Sequence, residues 1–282
     1  MTTIGVIGAG TMGAGIAYAG ALASMRVLLH DVAPGSLERG MTRIADDARK
    51  AVEKGRLSEA ASRETLARIT AVQELAALSP CDIVIEAAIE DLGLKQQLFR
   101  SLGTICAPGA ILATNTSSLS VTAIAAGVPH PERVVGMHFF NPAHVMKLVE
   151  VVQGHRTSDA TVAATRAIAE AMGKVAVSAK DTPGFIVNRV ARPYYGEALR
   201  LLGEGVTSAE EIDRILRLSA GFKMGPFELM DLIGIDVNFA VTKSMYEQTF
   251  GEPRYRPHLI QQQMVNAGQL GRKTKRGFYQ YP

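Results

Sequence analysis

Three observations predict an α/β protein: strands alternate with helical stretches up to residue 183, a glycine-rich turn follows the first strand, and strand pattern is lost beyond that point. The fold class expected is a doubly wound, mostly parallel sheet with an inserted helical hairpin, followed by an all-α domain. The boundaries drawn are 1–183 and 184–282.

Ile4-Gly5-Val6-Ile7 is a short apolar run with the length of a buried strand. Gly8-Ala9-Gly10-Thr11-Met12-Gly13 follows at once, then a helix-compatible run from Ala14 to Ser24 and a second strand, Val27-Leu28-Leu29, ending in His30-Asp31. In this context each glycine has a task. Gly8 permits the tight turn, Gly10 lets backbone approach a pyrophosphate, and Gly13 allows close helix–strand packing. The helix N-terminus offers unpaired N–H groups and partial positive charge to a diphosphate. A nucleoside-triphosphate loop would need Lys and then Ser or Thr next, and Ala14-Gly15 excludes it. Asp31 at the second strand end is positioned for a ribose diol, and no arginine stands among Val32, Ala33, Pro34 and Gly35. A Rossmann-type site for NAD rather than NADP is therefore expected.

Residues 36–67 are charged and helical in period, broken by Lys54-Gly55-Arg56, which predicts a helical hairpin between the second and third strands. Further strands are expected at Arg68–Thr70, Asp82–Glu86, Ala110–Thr114, Arg133–Met137, Leu148–Val152 and Val175–Val177. From Phe185 onward the periods are helical, with a capping signal at Thr207-Ser208-Ala209-Glu210-Glu211.

One stretch asks for more than packing. Glu150 sits within Leu148-Val149-Glu150-Val151-Val152, where an unpaired carboxylate costs on the order of several kcal/mol. His138, expected just after the sixth strand, is the candidate partner. A histidine donating one ring N–H to a buried carboxylate is held in a single tautomer, which is the arrangement of a general base that takes a proton from an alcohol. Asn115-Thr116-Ser117-Ser118 follows the fifth strand and converges on the same crevice. A structural His–Glu pair would look the same in isolation; the adjoining nucleotide site favours catalysis.

Composition excludes several classes. Apolar residues make up 47% and charged residues 20%, as in a folded enzyme rather than a disordered chain. A net charge of +3, dispersed along the chain, provides no stripe for nucleic acid. No apolar run is long enough for a membrane span. Cys81 and Cys106 have no metal-type spacing, so no metal is expected, and so few thiols suit a reducing compartment. Met1 leads directly into the first strand, and a cytoplasmic protein is expected.

GAGTMGAGIA, NTSSLS, GMHFFNP, MKLVEVV, KDTPGFIVNR and MGPFELMDLIG, in this order, resemble the L-3-hydroxyacyl-CoA dehydrogenase family, most of all its bacterial 3-hydroxybutyryl-CoA dehydrogenases. The likeness runs from Ile4 to Gly277-Phe278-Tyr279. It implies interconversion of a (3S)-3-hydroxyacyl-CoA, of short acyl length, and its 3-ketoacyl-CoA. It implies His138 as base, Glu150 as its partner, and Ser117 and Asn188 as substrate hydrogen-bonding groups, with the site in a cleft between domains. Around the dinucleotide it implies Asp31, Glu90, Lys95, Ser117, Asn141 and Lys273, and near the CoA phosphates Lys50 and Lys54. It also implies a homodimer, formed through the helical domain near Met224–Val237. One departure is His144, where relatives carry proline: either a surface substitution or a competitor for Glu150. His30 is expected beside the adenosine. Two other readings stay open: a related dehydrogenase of a free hydroxy acid of the gulonate or carnitine type, and a non-catalytic NAD-binding protein.

Overall fold

In a computed structural model covering residues 1–282, β1 (Thr3–Ile7) is buried from Ile4 to Ile7 and lies between β2 (Arg26–His30) and β4 (Ile83–Glu86), parallel to both. β3 (Ile69–Val72) extends the sheet beyond β2; β5 (Ile111–Thr114), β6 (Val134–Phe139), β7 (Leu148–Gln153) and β8 (Val175–Lys180) extend it beyond β4. The order is β3-β2-β1-β4-β5-β6-β7-β8. It reverses between β1 and β4, and a doubly wound sheet opens its ligand crevice at such a point.

The helix after β1, α1 (Thr11–Leu22), starts earlier than the sequence suggests because Gly10, in extended conformation, already serves as its N-cap. Its alanines and glycines are buried on nearly every side, so bulk there would force the helix off the sheet. The expected hairpin is α2 (Ser36–Glu53) and α3 (Glu59–Ala67). α2 buries only Gly40, Ile44 and Ala48, a single stripe at fourfold spacing, and leaves its charged faces to solvent. α4 (Leu92–Ile105), α5 (Val121–Ile124) and α6 (Asp159–Ala171) complete this part. Asp181 accepts hydrogen bonds from Ser120 Oγ, Val121 N and Thr122 N, which ties the chain just past β8 to the start of α5.

Two strand ends shift from the sequence expectation, and the direction of β7 is added to it. The sixth strand runs to Phe139, so His138 lies within it and not after it. β7 runs antiparallel to β6, because the short 140–147 connection reverses the chain without the crossover helix that parallel strands need. The last strand continues to Lys180, paired in parallel along β7.

By contacts along the chain there are two units, Met1–Thr182 and Pro183–Pro282. The second consists of α7 (Val187–Gly203), α8 (Ala209–Ala220), α9 (Pro226–Ile233), α10 (Ile235–Gln248) and α11 (Leu259–Asn266), with isolated bridges but no strand. Ser208 caps α8 as its sequence signal indicates, accepting from Glu211 N. Two buried aspartates organise this unit. Asp213 accepts from Phe227 N and Glu228 N at the start of α9 and from the Tyr279 hydroxyl. Asp231 accepts from Phe278 N, Tyr279 N and the Tyr281 hydroxyl, which pins the C-terminal segment. No helix is long and apolar enough to cross a membrane.

Both cysteines are buried and unpaired. Burial, with smaller contributions from Cys106 and Asp82, pushes the Cys81 thiol up to about 12, and burial also raises Cys106. Since the thiolate is the reactive form, only about one Cys81 in ten thousand is reactive at pH 8. Neither thiol should react with Ellman's reagent at pH 8 in the folded protein, and both should react in denaturant. Rapid labelling of the native protein would contradict the burial described.

Candidate active site

The glycine turn is built as its sequence implies. Gly8 has φ of +95°, and a Cβ there would stand 2.5 Å from the Ala87 carbonyl oxygen. A Cβ on Gly13 would meet the Gly8 carbonyl oxygen at 1.7 Å, so only glycine allows α1 to start against the turn. At Gly10 the case differs: a Cβ would touch nothing within 4 Å. Packing does not require that glycine, whereas close approach of a diphosphate to the backbone does, and so the turn fits a dinucleotide.

Asp31 closes the same site from the end of β2. One carboxylate oxygen accepts from Ala9 N at 2.7 Å and the other from Ala33 N at 2.8 Å. Each oxygen retains acceptor capacity for a diol hydroxyl. Arg39 folds back over the following turn, donating to Pro34 O and Ser36 Oγ, a placement that the sequence distance had hidden. His30 does not face the adenosine region as expected. It is buried, with Nδ1 3.2 Å from Val72 O, because strand alternation turns its side chain into the sheet's packing.

Beyond β4 lies a buried network that the sequence reading resolved only in part. Glu86, fully buried, accepts from Ala88 N, Lys95 Nζ and Thr114 Oγ1. Lys95 is 1% exposed and also lies 3.3 Å from Glu90. It is therefore enclosed between two carboxylates instead of standing open to a cofactor. Glu90 Oε1 accepts from Thr116 Oγ1 and from the backbone N–H of Ser117 and Ser118. Burial raises the Glu90 carboxyl, but the Lys95 charge and these hydrogen bonds outweigh it and hold the group below its ordinary range. Glu90 and Lys95 thus shape the Ser117 loop. Asn115 joins this loop to the next strand, its Oδ1 accepting from Phe139 N at 2.8 Å.

His138 and Glu150 face each other directly in the antiparallel register of β6 and β7. Nδ1 is 2.7 Å from Glu150 Oε2, with Glu150 fully buried and His138 nearly so. A carboxylate can only accept, so Nδ1 carries the hydrogen and the lone pair of the neutral ring lies on Nε2. Phe140 packs on the imidazole at 4.6 Å between centroids and further limits its rotation. The unit can accept a proton at Nε2 and stabilise the resulting cation through Glu150.

A cavity of about 630 Å³ lies between α1, the α2–α3 hairpin and residues 141–145. Asn141 lines it, as do Lys54 and Arg56 of the hairpin turn. Lys50 belongs to its wall, as does Arg43, which donates to Thr11 Oγ1 of the glycine turn. His144 also lines this cavity, edge-on to Tyr18, and is neither a plain surface residue nor a competitor for Glu150. In the second unit, Lys273 pairs with Asp236 at 2.6 Å, and Asn188 lies in the first turn of α7.

Two family models cover nearly the whole chain: 3-hydroxyacyl-CoA dehydrogenase, NAD binding domain, over residues 3–182, and 3-hydroxyacyl-CoA dehydrogenase, C-terminal domain, over residues 184–281. The chain belongs to the 3-hydroxyacyl-CoA dehydrogenase family, and its cofactor is NAD. It is 50% identical over 99% of its length to a 3-hydroxyadipyl-CoA dehydrogenase of Escherichia coli, but spans only 59% of that longer protein. With a 3-hydroxybutyryl-CoA dehydrogenase of Clostridioides difficile it shares 41% identity over 99% of both chains. The crystal structure of (S)-3-hydroxybutyryl-CoA dehydrogenase from Ralstonia eutropha, 42% identical, superposes with a TM-score of 0.95, covering 100% of this chain and 99% of that one.

Replacing Asp31 with Ser should erode the preference for NADH over NADPH, chiefly through KM, with turnover less affected. The N–H of Ala9 or Ala33 loses its acceptor in that variant, so the melting temperature should fall slightly as well. Equal use of both cofactors by the unaltered protein would show that Asp31 does not read the ribose.

Proposed function

We propose that this protein interconverts a short-chain (3S)-3-hydroxyacyl-CoA and the corresponding 3-ketoacyl-CoA. The observation that carries the reading is the in-register pair His138–Glu150, buried on adjacent strands of the sheet that also carries the dinucleotide turn. The names of the full-length relatives support the substrate class.

When bound, NAD supplies a hydride acceptor for oxidation and a donor for reduction. The remaining work falls to the chain's own side chains. His138 Nε2 takes the proton of the 3-hydroxyl as the alcohol is oxidised and returns it in the reverse direction. Glu150 keeps Nδ1 protonated and offsets the imidazolium charge. Ser117 and Asn188 donate hydrogen bonds to the substrate oxygens, and Asn141 borders the nicotinamide end of the cofactor. Glu90 and Lys95 act on the cofactor through the Ser117 loop, and Lys273 is assigned to the dinucleotide. Lys50 and Lys54, with Arg43 and Arg56 on the same cavity, hold the phosphates of CoA, a cluster that a free hydroxy acid would not need.

We infer a homodimer formed through the helical unit, supported by Leu218, Ile215 and Phe222, which are apolar and exposed on and just after α8. A cytoplasmic location is supported by the two unpaired thiols.

Acetoacetyl-CoA should oxidise NADH readily and free acetoacetate should not; the opposite preference would favour a hydroxy-acid dehydrogenase. Glu150→Gln keeps the shape but removes the charge, and turnover should fall by about 10²–10⁴ with cofactor affinity nearly unchanged. Near-normal turnover in that variant would make the pair structural.

Oxidation needs neutral His138 and reduction needs its protonated form. Through one shared ionisation, oxidation should therefore rise with pH and reduction should fall. His138→Gln should abolish that limb in both directions while NADH fluorescence titration still registers binding. Persistence of the limb in His138→Gln would assign the base elsewhere.

A further inference from the structure

Arg192 occupies a core position of its helix. With Tyr195, Ala198 and Leu199 it makes the buried stripe of α7, at the three- and four-residue spacing of one helix face. The side chain is only 4% exposed, and an arginine keeps its charge when buried. Taking such a charge out of water is costly unless a counter-charge meets it. Two other buried cations of this protein are answered. Lys95 meets Glu86, and Arg133 donates to Gly103 O and Ala107 O at the C-terminal end of α4, where the helix dipole is negative. Arg192 has neither kind of partner. Nε donates to Asn188 O at 3.3 Å, and Nη1 donates to Asn238 O and Thr242 Oγ1, each at 2.9 Å. Asn188 and Asn238 stand in the first turns of α7 and α10, the ends at which a helix dipole is positive. The Tyr195 ring centroid lies 4.9 Å from the guanidinium carbon, and no carboxylate acts on the group. Burial lowers it to about 10, against an opposing effect of Tyr195, so it stays protonated at neutral pH.

One face of the guanidinium is open. Nη2, the nitrogen without a protein partner, is not sealed off as the orphan Nδ2 of Asn238 is. Arg192 lines a pocket of the helical unit whose volume is about 10 Å³, room for roughly one water molecule. Arg254, Arg256 and His258 line it too, and no Asp or Glu does. Of the three arginines only Arg254 has an ion pair, with Glu252 at 3.0 Å. His258 is neutral, since burial and then Arg200 lower its pKa. A water molecule would fit this space but would leave the buried charge unanswered.

We propose that the pocket beside Arg192 is a binding site for a monatomic anion, chloride, which neutralises the buried guanidinium and ties α7 to the 254–258 segment. Charge selects an anion, because three arginines meet at a pocket without a carboxylate. Size selects a single atom, because a phosphate or a carboxylate exceeds the volume of one water. The site belongs wholly to the helical unit and does not depend on the reaction assigned above.

The test exchanges chloride for methanesulfonate, an anion too bulky for the pocket, at constant ionic strength. At 200 mM, chloride should raise the melting temperature of the whole protein by about 2–4 °C relative to methanesulfonate. Arg192→Met should abolish that difference. The double variant Lys54→Gln, Arg56→Gln, which alters the other cationic cavity, should keep it. Crystals soaked in bromide should show an anomalous peak in the pocket beside Arg192. No difference between the two salts in the unaltered protein would overturn the proposal, as would water alone in the pocket of the soaked crystal. Loss of the difference in the Lys54 and Arg56 variant would place the anion at the hairpin and overturn it as well. A bromide peak with no salt effect on melting would mean an adventitious ion only. If Arg192→Met does not fold, Arg256→Gln at the exposed side of the pocket decides. A several-fold rise in the chloride concentration giving half the melting shift supports the site, and an unchanged one overturns it.

Discussion

An antiparallel strand pair in a sheet that is otherwise mostly parallel sets the geometry of the candidate site. The reversal between β6 and β7 sets His138 opposite Glu150 on one face, with Met137 opposite Val151 and Phe139 opposite Val149 as immediate neighbours. A slip by one residue would turn the histidine to the other face and leave Glu150 buried among aliphatic side chains with nothing to pair with. The apolar neighbours therefore enforce the register that the hydrogen-bonded pair needs, and the pair penalises every other register. Gly136 contributes by having no side chain where a Cβ would come within 2.7 Å of Val152 Cβ. Removing one partner of such a pair is strongly destabilising, because the other charge is left uncompensated in a dry environment.

Around this pair the first unit is organised by buried polar groups that each hold a loop. Asp31 ties the glycine turn to the end of β2, Glu86 and Lys95 support Glu90, and Glu90 gathers the backbone of the Ser117 loop. Asp181 performs the same office at the start of α5. These carboxylates accept from several backbone N–H groups at once, an arrangement in which the charge is dispersed and the loop loses its freedom before any ligand arrives. Asp213 and Asp231 repeat the device in the helical unit, where they fix the C-terminal segment that carries Tyr279 and Tyr281.

The cavity beside the hairpin is rich in cationic side chains. Arg43, Lys50, Lys54 and Arg56 line it together with Asp47, Tyr18 and His144, and α2 leaves most of its surface to solvent. Charged heads on long side chains can adapt to a phosphate in water. Lys174 donates to Ala143 O and Met146 O and so holds this part of the cavity wall.

Sequence by itself determined the architecture and singled out His138 and Glu150 as a candidate pair. Periodicity separated the sheet-bearing part from the helical part, and the glycine turn with Asp31 announced a dinucleotide because Gly8 and Gly13 answer local steric demands while Gly10 leaves the backbone open to a ligand. Glu150 was legible because a carboxylate within an aliphatic strand has few explanations. Tertiary structure decided what depends on non-local pairing. His138 proved to lie within a strand, since only the antiparallel return of β7 extends β6 to Phe139. His30 turned inward, and Lys95 went to a buried ion pair with a residue nine positions earlier. His144 drew its meaning from Tyr18, Asp47 and Lys174, three residues far from it in the chain. Local sterics are written in consecutive residues, whereas burial and partner choice arise only when distant segments pack, and that is why the second set was not legible beforehand.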